Sequence, residues 1–242
     1  FAAWDDHDYL NNDKSGLQKG QIGNKERNAL RKLWQENWVN PQVPVEDRGI
    51  YFNTILGDVE IIMLDTRSCR DWQKRGKRGA YLGDAQMQWL FNTLKSSQAR
   101  FIILTSGTMW SDFMSEAKDS WGTWDIPGRE QIYDFVEENQ IGGLLLLSGD
   151  RRGARGFRIE RPSGFVLHEF EAATLGGVPG PDAFAPNRST QIFGYAGGLI
   201  AFGEFTFDMS KPDPEVTFRL INEEGQEIEK HAFLRSQLTP VK

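Results

Sequence analysis

Three short apolar runs limit the possible fold more than any other feature of the sequence. Val59–Leu64 (VEIIML), Phe101–Leu104 (FIIL) and Leu144–Leu147 (LLLL) are near-continuous rather than alternating. Runs of this kind belong to strands buried in the middle of a sheet, with both faces covered. Each breaks abruptly into polar residues: Asp65-Thr66-Arg67, Thr105-Ser106-Gly107, and Ser148-Gly149-Asp150-Arg151-Arg152. Helical patterns separate them. After Asp84, a plausible N-cap, Met87, Leu90, Phe91 and Leu94 form an apolar stripe, and a second helix is expected from about Pro127 to Asn139. This is an α/β layout with polar residues gathered at one edge of a sheet. Open α/β sheets bind ligands at the carboxyl ends of their strands.

The rest of the chain fits around that sheet. Residues 11 to 23 read as a loop. Asn24 is placed to cap a helix carrying Ala29, Leu30, Leu33, Trp34 and Trp38, which Pro41 and Pro44 end. Gly49 to Leu56 and Val59 to Asp65 form a hairpin across Gly57-Asp58. A basic loop from Gln73 to Gly79 precedes the Asp84 helix. A long loop carries Trp110, Asp112, Asp119, Trp121 and Trp124; loops of that length in a compact domain are usually functional or disordered, and three tryptophans argue against disorder. From Gly156 onward the pattern alternates, giving strands at 156–160, 164–172, 199–208, 215–222 and 226–234, with a Gly/Pro-rich loop over 174–198. No repeat or linker interrupts the 242 residues, so a single domain over residues 1–242 is expected.

The first line, FAAWDDHDYLNND, draws on composition. Phe1–Trp4 reads as the tail of a buried strand, running into Asp5, Asp6, His7 and Asp8. Four consecutive ionisable groups cannot be buried as charges without a counter-ion. A metal is one counter-ion; a polar loop capping a strand is the plain alternative. With three histidines and one cysteine, Cys69, a His-rich zinc cluster and an intramolecular disulfide are both excluded. A metal site here must use carboxylate and other oxygen ligands, which suits Ca²⁺, Mg²⁺, Mn²⁺ or iron. A net charge of −6 argues against a nucleic-acid or acidic-membrane surface, and no apolar run approaches the ~20 residues of a transmembrane helix. The chain also starts inside what reads as a strand, so preceding sequence is expected to have been lost.

WDDHDYLNND, GIYFNTILGDVEIIMLDTRSCRD, LGDAQMQWLFNTLKSSQARFIILTSG, DSW, LLSGD and the GEFTFD…FRLINEEG tail, in this order, resemble the PhoD-like alkaline phosphatase family of the calcineurin-like metallophosphatases. The resemblance implies a two-sheet αββα sandwich with metal ions (Ca, Fe, Mn, Mg or Zn) at the strand ends, acting on phosphate esters, in the periplasm or outside the cell. It makes Asp6 and Asp150 metal ligands and His7 the proton donor to the leaving group, with Asp8 orienting its imidazole. It places Arg67 against the phosphate, an ion pair with Asp65 being the alternative, and Asp119-Ser120-Trp121 along the substrate cleft. Arg152 stands where the family has a histidine. A guanidinium cannot ligate a cation, so one metal site is expected to be weakened, with Arg152 either standing in for an ion or binding phosphate. His168 reads as structural, His231 as a surface residue and Cys69 as a bystander. Further ligands in the family lie upstream of WDDHD, so a preceding segment or a second chain is expected to supply them.

These readings lead to metal-dependent hydrolysis of phosphate mono- or diesters. The alternative is a degenerate metallophosphatase scaffold that binds a partner or anion without turnover. A carbohydrate-binding module using the tryptophan loop ranks below both, because it leaves the strand-end residues unexplained.

Overall fold

The computed structural model describes all residues except 11, 13, 17–22, 43–48, 114–118 and 242, and of residue 24 the backbone alone. Part of the expected 11–23 loop and the helix-ending Pro44 therefore lie outside the described residues. The three apolar runs are strands β2 (Val59–Met63), β3 (Phe101–Thr105) and β4 (Leu144–Leu147). They lie parallel, side by side, at the centre of a seven-stranded sheet. On one flank β1 (Phe52–Leu56) pairs antiparallel with β2 through a two-residue turn. Gly57 at φ +60° supplies the left-handed residue that such tight hairpins favour. On the other flank, β6 (Val166–Ala172) runs parallel to β4, followed outward by antiparallel β5 (Ala154–Glu160) and β7 (Gln191–Gly194). The short β7 falls inside the stretch read as loop.

Helices α3 (Gly83–Ser96) and α5 (Ile126–Glu138) cover one face of this sheet. Leu90 and Leu94 of α3 and Ile132 and Val136 of α5 share one core with Ile62, Leu104, Leu144 and Leu146. The other face packs on a three-stranded antiparallel sheet of β8 (Ala201–Asp208), β9 (Glu215–Asn222) and β10 (Glu227–Leu234). Phe101, Ile103, Leu145 and Phe170 meet Val216, Phe218 and Leu220 in that core. The α/β class and the two-sheet core are thus as expected. The outer side of the small sheet is solvated: Arg219 pairs there with Glu204 (3.4 Å) and Glu227 (3.0 Å).

The N-terminus departs from expectation. Phe1–Trp4 joins no strand among the described residues, and Asp6–Tyr9 forms one helical turn, α1. Trp4 and Tyr9 are buried instead against Ile50, Leu30 and Trp34, the last two on α2 (Asn24–Asn37). Apolarity marked these residues as interior but not as sheet. Caps also shift by a residue or two: Gly23 rather than Asn24 precedes α2, and Leu82 rather than Asp84 precedes α3.

Candidate metal centre

Because β2, β3 and β4 are parallel, their C-terminal ends deliver Asp65–Arg67, Ser106-Gly107 and Ser148–Asp150 to one edge of the sheet. Asp65 organises that edge. Its fully buried carboxylate accepts hydrogen bonds from the Trp4 indole (2.9 Å), the Ile50, Arg67 and Ser68 amides (2.8–2.9 Å) and the Ser68 hydroxyl (2.5 Å). A carboxylate with this many donors is satisfied without a metal. Gln86 of α3 clamps the Asp65 backbone, accepting from its N–H at 2.8 Å and donating to its carbonyl at 2.9 Å.

Asp65 thereby anchors Trp4, and Trp4 leads directly into α1. In that turn the Asp8 carboxylate accepts from the Asp5 amide at 3.0 Å, and the Asp6 carboxylate from the His7 amide at 2.8 Å. The turn points Asp5 and Asp6 toward Asp150, which follows β4. One carboxylate oxygen from each of the three lies within 4.8 Å of the others. Asp150 sits in a left-handed conformation (φ +71°), as does Arg152 (φ +54°). Such strain in non-glycine residues is retained where surrounding structure enforces it, often at functional sites. Gly180 shows how closely that turn is braced: a Cβ there would lie 2.2 Å from the Arg152 carbonyl oxygen.

Behind the three aspartates is a buried charge chain. Arg67 donates from Nε to Asp5 at 2.6 Å and meets Asp119 from Nη2 at 2.7 Å. Arg70 in turn donates from Nη1 to both oxygens of Asp119, at 2.8 and 2.9 Å. Burial would raise the Asp119 carboxyl, but Arg70 and Arg67 outweigh it and hold it below the usual carboxylate range. Asp5 and Asp150 behave oppositely. Burial pushes both up, and the crowding of Asp5, Asp6, Asp119 and Asp150 adds to the shift against the pull of Arg67. Asp150 has no ion-pair partner among the described residues. Carboxylates held together at a raised proton affinity are the donor set of a hard cation, so these residues fit a metal.

A cleft of about 460 Å³ opens over them, with Asp6, Asp119 and Asp150 at its acidic side. Its other lining includes Arg75, Arg151 and Arg152 and the rings of Trp72 and Trp124. Asp6, Asp150 and Arg152 are therefore brought together as the sequence suggested. Four expectations need correction. Arg67 has a fully buried side chain spent on Asp5 and Asp119, so it faces the charge chain rather than the cleft. Trp121, which opens the short helix α4 (Trp121–Trp124), is fully buried, stacked on Trp110 at 5.1 Å with its indole donating to Ser106, and does not line the cleft. Asp8 caps Asp5 rather than orienting the imidazole of His7. His7 itself is exposed and lies outside the cleft lining. Asp5 was read only as part of the acidic run and Trp124 only as part of the long loop, with no role assigned to either, and Arg70, Trp72 and Arg75 were not singled out from sequence.

Comparison with known proteins decides the relationship. The sequence model of the family described as PhoD-like phosphatase matches residues 1–189. The chain belongs to the PhoD-like phosphatase family. It is 27% identical over 178 residues to "Alkaline phosphatase D" of Bacillus subtilis (strain 168), covering 62% of this chain and 30% of that protein. A solved structure of PhoD superposes with a TM-score of 0.64 at 18% identity, over 94% of this chain and 54% of that one. Purple acid phosphatase PPD1 from yellow lupin (Lupinus luteus) seeds gives a TM-score of 0.61 at 14% identity, over 92% of this chain and 39% of that one. This member of the PhoD-like family thus shares the metallophosphatase fold, while spanning a third to about half the length of these relatives. No helix among its described residues is long and apolar enough to cross a membrane.

Proposed function

We propose that this PhoD-like chain binds a divalent or trivalent metal ion through Asp5, Asp6 and Asp150 and hydrolyses phosphate mono- or diesters in the cleft above. The observation that carries the reading is the convergence of three carboxylates at the sheet edge, beneath a cleft that guanidinium groups also line. A hard cation bound there supplies Lewis acidity toward phosphoryl oxygens. The chain's own residues do the rest. The Arg67–Asp119–Arg70 chain fixes Asp5, so that the ligand set is formed before substrate arrives. Arg151 and Arg152 receive the phosphate, Arg152 with a planar fork suited to two of its oxygens.

The test pairs metal analysis with turnover of p-nitrophenyl phosphate and bis(p-nitrophenyl) phosphate. Asp150→Asn is expected to lower bound metal and to cut kcat/KM by about a hundredfold or more, some 2.7 kcal/mol of transition-state stabilisation. Unchanged metal content in that variant would overturn the site. Arg152, standing where the family has a histidine, favours a second reading, an anion-binding scaffold without turnover. Phosphate binding with no hydrolysis under any of Ca²⁺, Mg²⁺, Mn²⁺, Zn²⁺ or iron would select it.

A further inference from the structure

The basic loop before α3 has no part in the chemistry above, yet it enters the same cleft. It leaves β2 through Asp71, whose carboxylate accepts from the Gln73 amide, and forms a short turn over Trp72–Lys74. The Gly76 amide then donates to the Trp124 carbonyl at 2.7 Å, tying the loop to the tryptophan segment. Trp72 and Trp124 meet edge to face at 4.5 Å, and the Arg75 guanidinium lies over both rings, 5.5 and 4.9 Å from their centres. A second guanidinium, Arg70, lies over the Trp124 ring at 4.6 Å. Two cations thus share one indole, and their situations differ. Arg70 is buried and neutralised by Asp119. Arg75 is exposed, lines the cleft and has no carboxylate partner among the described residues. Among the described residues Arg151 and Arg152 also lack an ion-pair partner, and Arg152 donates only to the Val178 carbonyl, at 3.3 Å. The cleft therefore offers more guanidinium groups without an ion pair among the described residues than a single phosphate group needs. Cations fixed on a ring that already holds another cation are relieved by an anion.

We propose that Arg75, seated on Trp72 and Trp124, forms a second subsite for an anionic group on the alcohol portion of the substrate. The favoured esters therefore carry a phosphate, phosphonate or carboxylate beyond the scissile phosphate. This rests on the phosphatase reading for its reaction but not for its binding. The test compares kcat/KM of the full chain, loaded with metal, for phenyl phosphate and para-(phosphonomethyl)phenyl phosphate at low salt. It also compares the affinities of benzylphosphonate and para-xylylene diphosphonate by calorimetry. The compounds with two anionic groups are expected to be favoured about tenfold in both measurements. Arg75→Gln should bring both ratios close to one, and Arg75→Lys should restore part of them, since charge returns without the planar fork. A melting curve establishes that the variants are folded. Hydrolysis without a preference, or a preference that Arg75→Gln leaves intact, overturns the subsite and leaves the phosphatase reading standing. Absence of hydrolysis with the tighter bisphosphonate binding still dependent on Arg75 does the reverse. Equal affinities for the two phosphonates overturn the subsite whatever the turnover.

Discussion

At the C-terminal edge of the sheet, Arg67 and Arg70 share Asp119 with both guanidinium groups fully buried. Beside α5, Arg161 does similar work in a wetter place, pairing with Glu130, with Asp134 at 2.6 Å and with Glu137 at 2.7 Å. Its partners are 36%, 58% and 18% exposed, whereas the Asp119 side chain is 5% exposed. The two clusters use the same residue types to different ends. At the Arg161 cluster, water can replace a lost partner. In the buried chain it cannot, so each member depends on the others, and the geometry of Asp5 is fixed by a residue more than a hundred positions away. Exposure, more than the number of charges, sets what an ion pair is worth.

Asp119→Ala gives the sharpest test of that contrast. It leaves two buried guanidinium groups without their shared carboxylate, and a loss of about 3–5 kcal/mol is expected in chemical denaturation. A loss below about 1 kcal/mol would place the two clusters in the same class. His168 extends the comparison to a buried titratable group with no carboxylate beside it. It is packed at 4.5 Å from the ring of Phe233, and burial, helped by Arg158 and His231, lowers it from about 6.5 to about 4. The fold therefore favours the neutral ring. Its contribution is present above about pH 6.5 and is lost as pH falls toward 4. That amounts to at most about 3 kcal/mol. Denaturation midpoints of the wild type and His168→Gln should converge on acidification across this window; parallel pH profiles would refute the assignment. Arg161→Ala should cost least, about 1 kcal/mol, with much of that vanishing in high salt.

The sheet was legible because its central strands announce themselves: a run such as LLLL between turn residues has few other uses. The Gly57-Asp58 hairpin and the alternating strands after Gly156 were legible for the same local reason. Phe1–Trp4 was misread because a buried indole can be claimed by a distant carboxylate, here Asp65, as easily as by a neighbouring strand. At the site, Asp6 and Asp150 could be paired because both follow recognisable motifs. Arg67 and Trp121 could not be placed from sequence, since residues after a strand can turn toward the cleft or away from it. Arg75 and Trp124 are 49 positions apart and are brought together by the Gly76–Trp124 hydrogen bond and the Trp72–Trp124 ring contact, which neither local pattern encodes.

Asp65 has one more consequence, for how the edge of the sheet comes apart. Its carboxylate receives groups from the N-terminus, from the segment before β1 and from its own turn, while α3 holds its backbone. No one of these segments can leave without stripping a donor from a buried acceptor that has no water to replace it. Opening at this edge should therefore be shared, with the Ile50, Arg67 and Ser68 amides exchanging with solvent as a single set. Asp5 and Asp6, at the start of α1, would lose their footing in the same event, so the arrangement of the three carboxylates persists for as long as that acceptor stays filled.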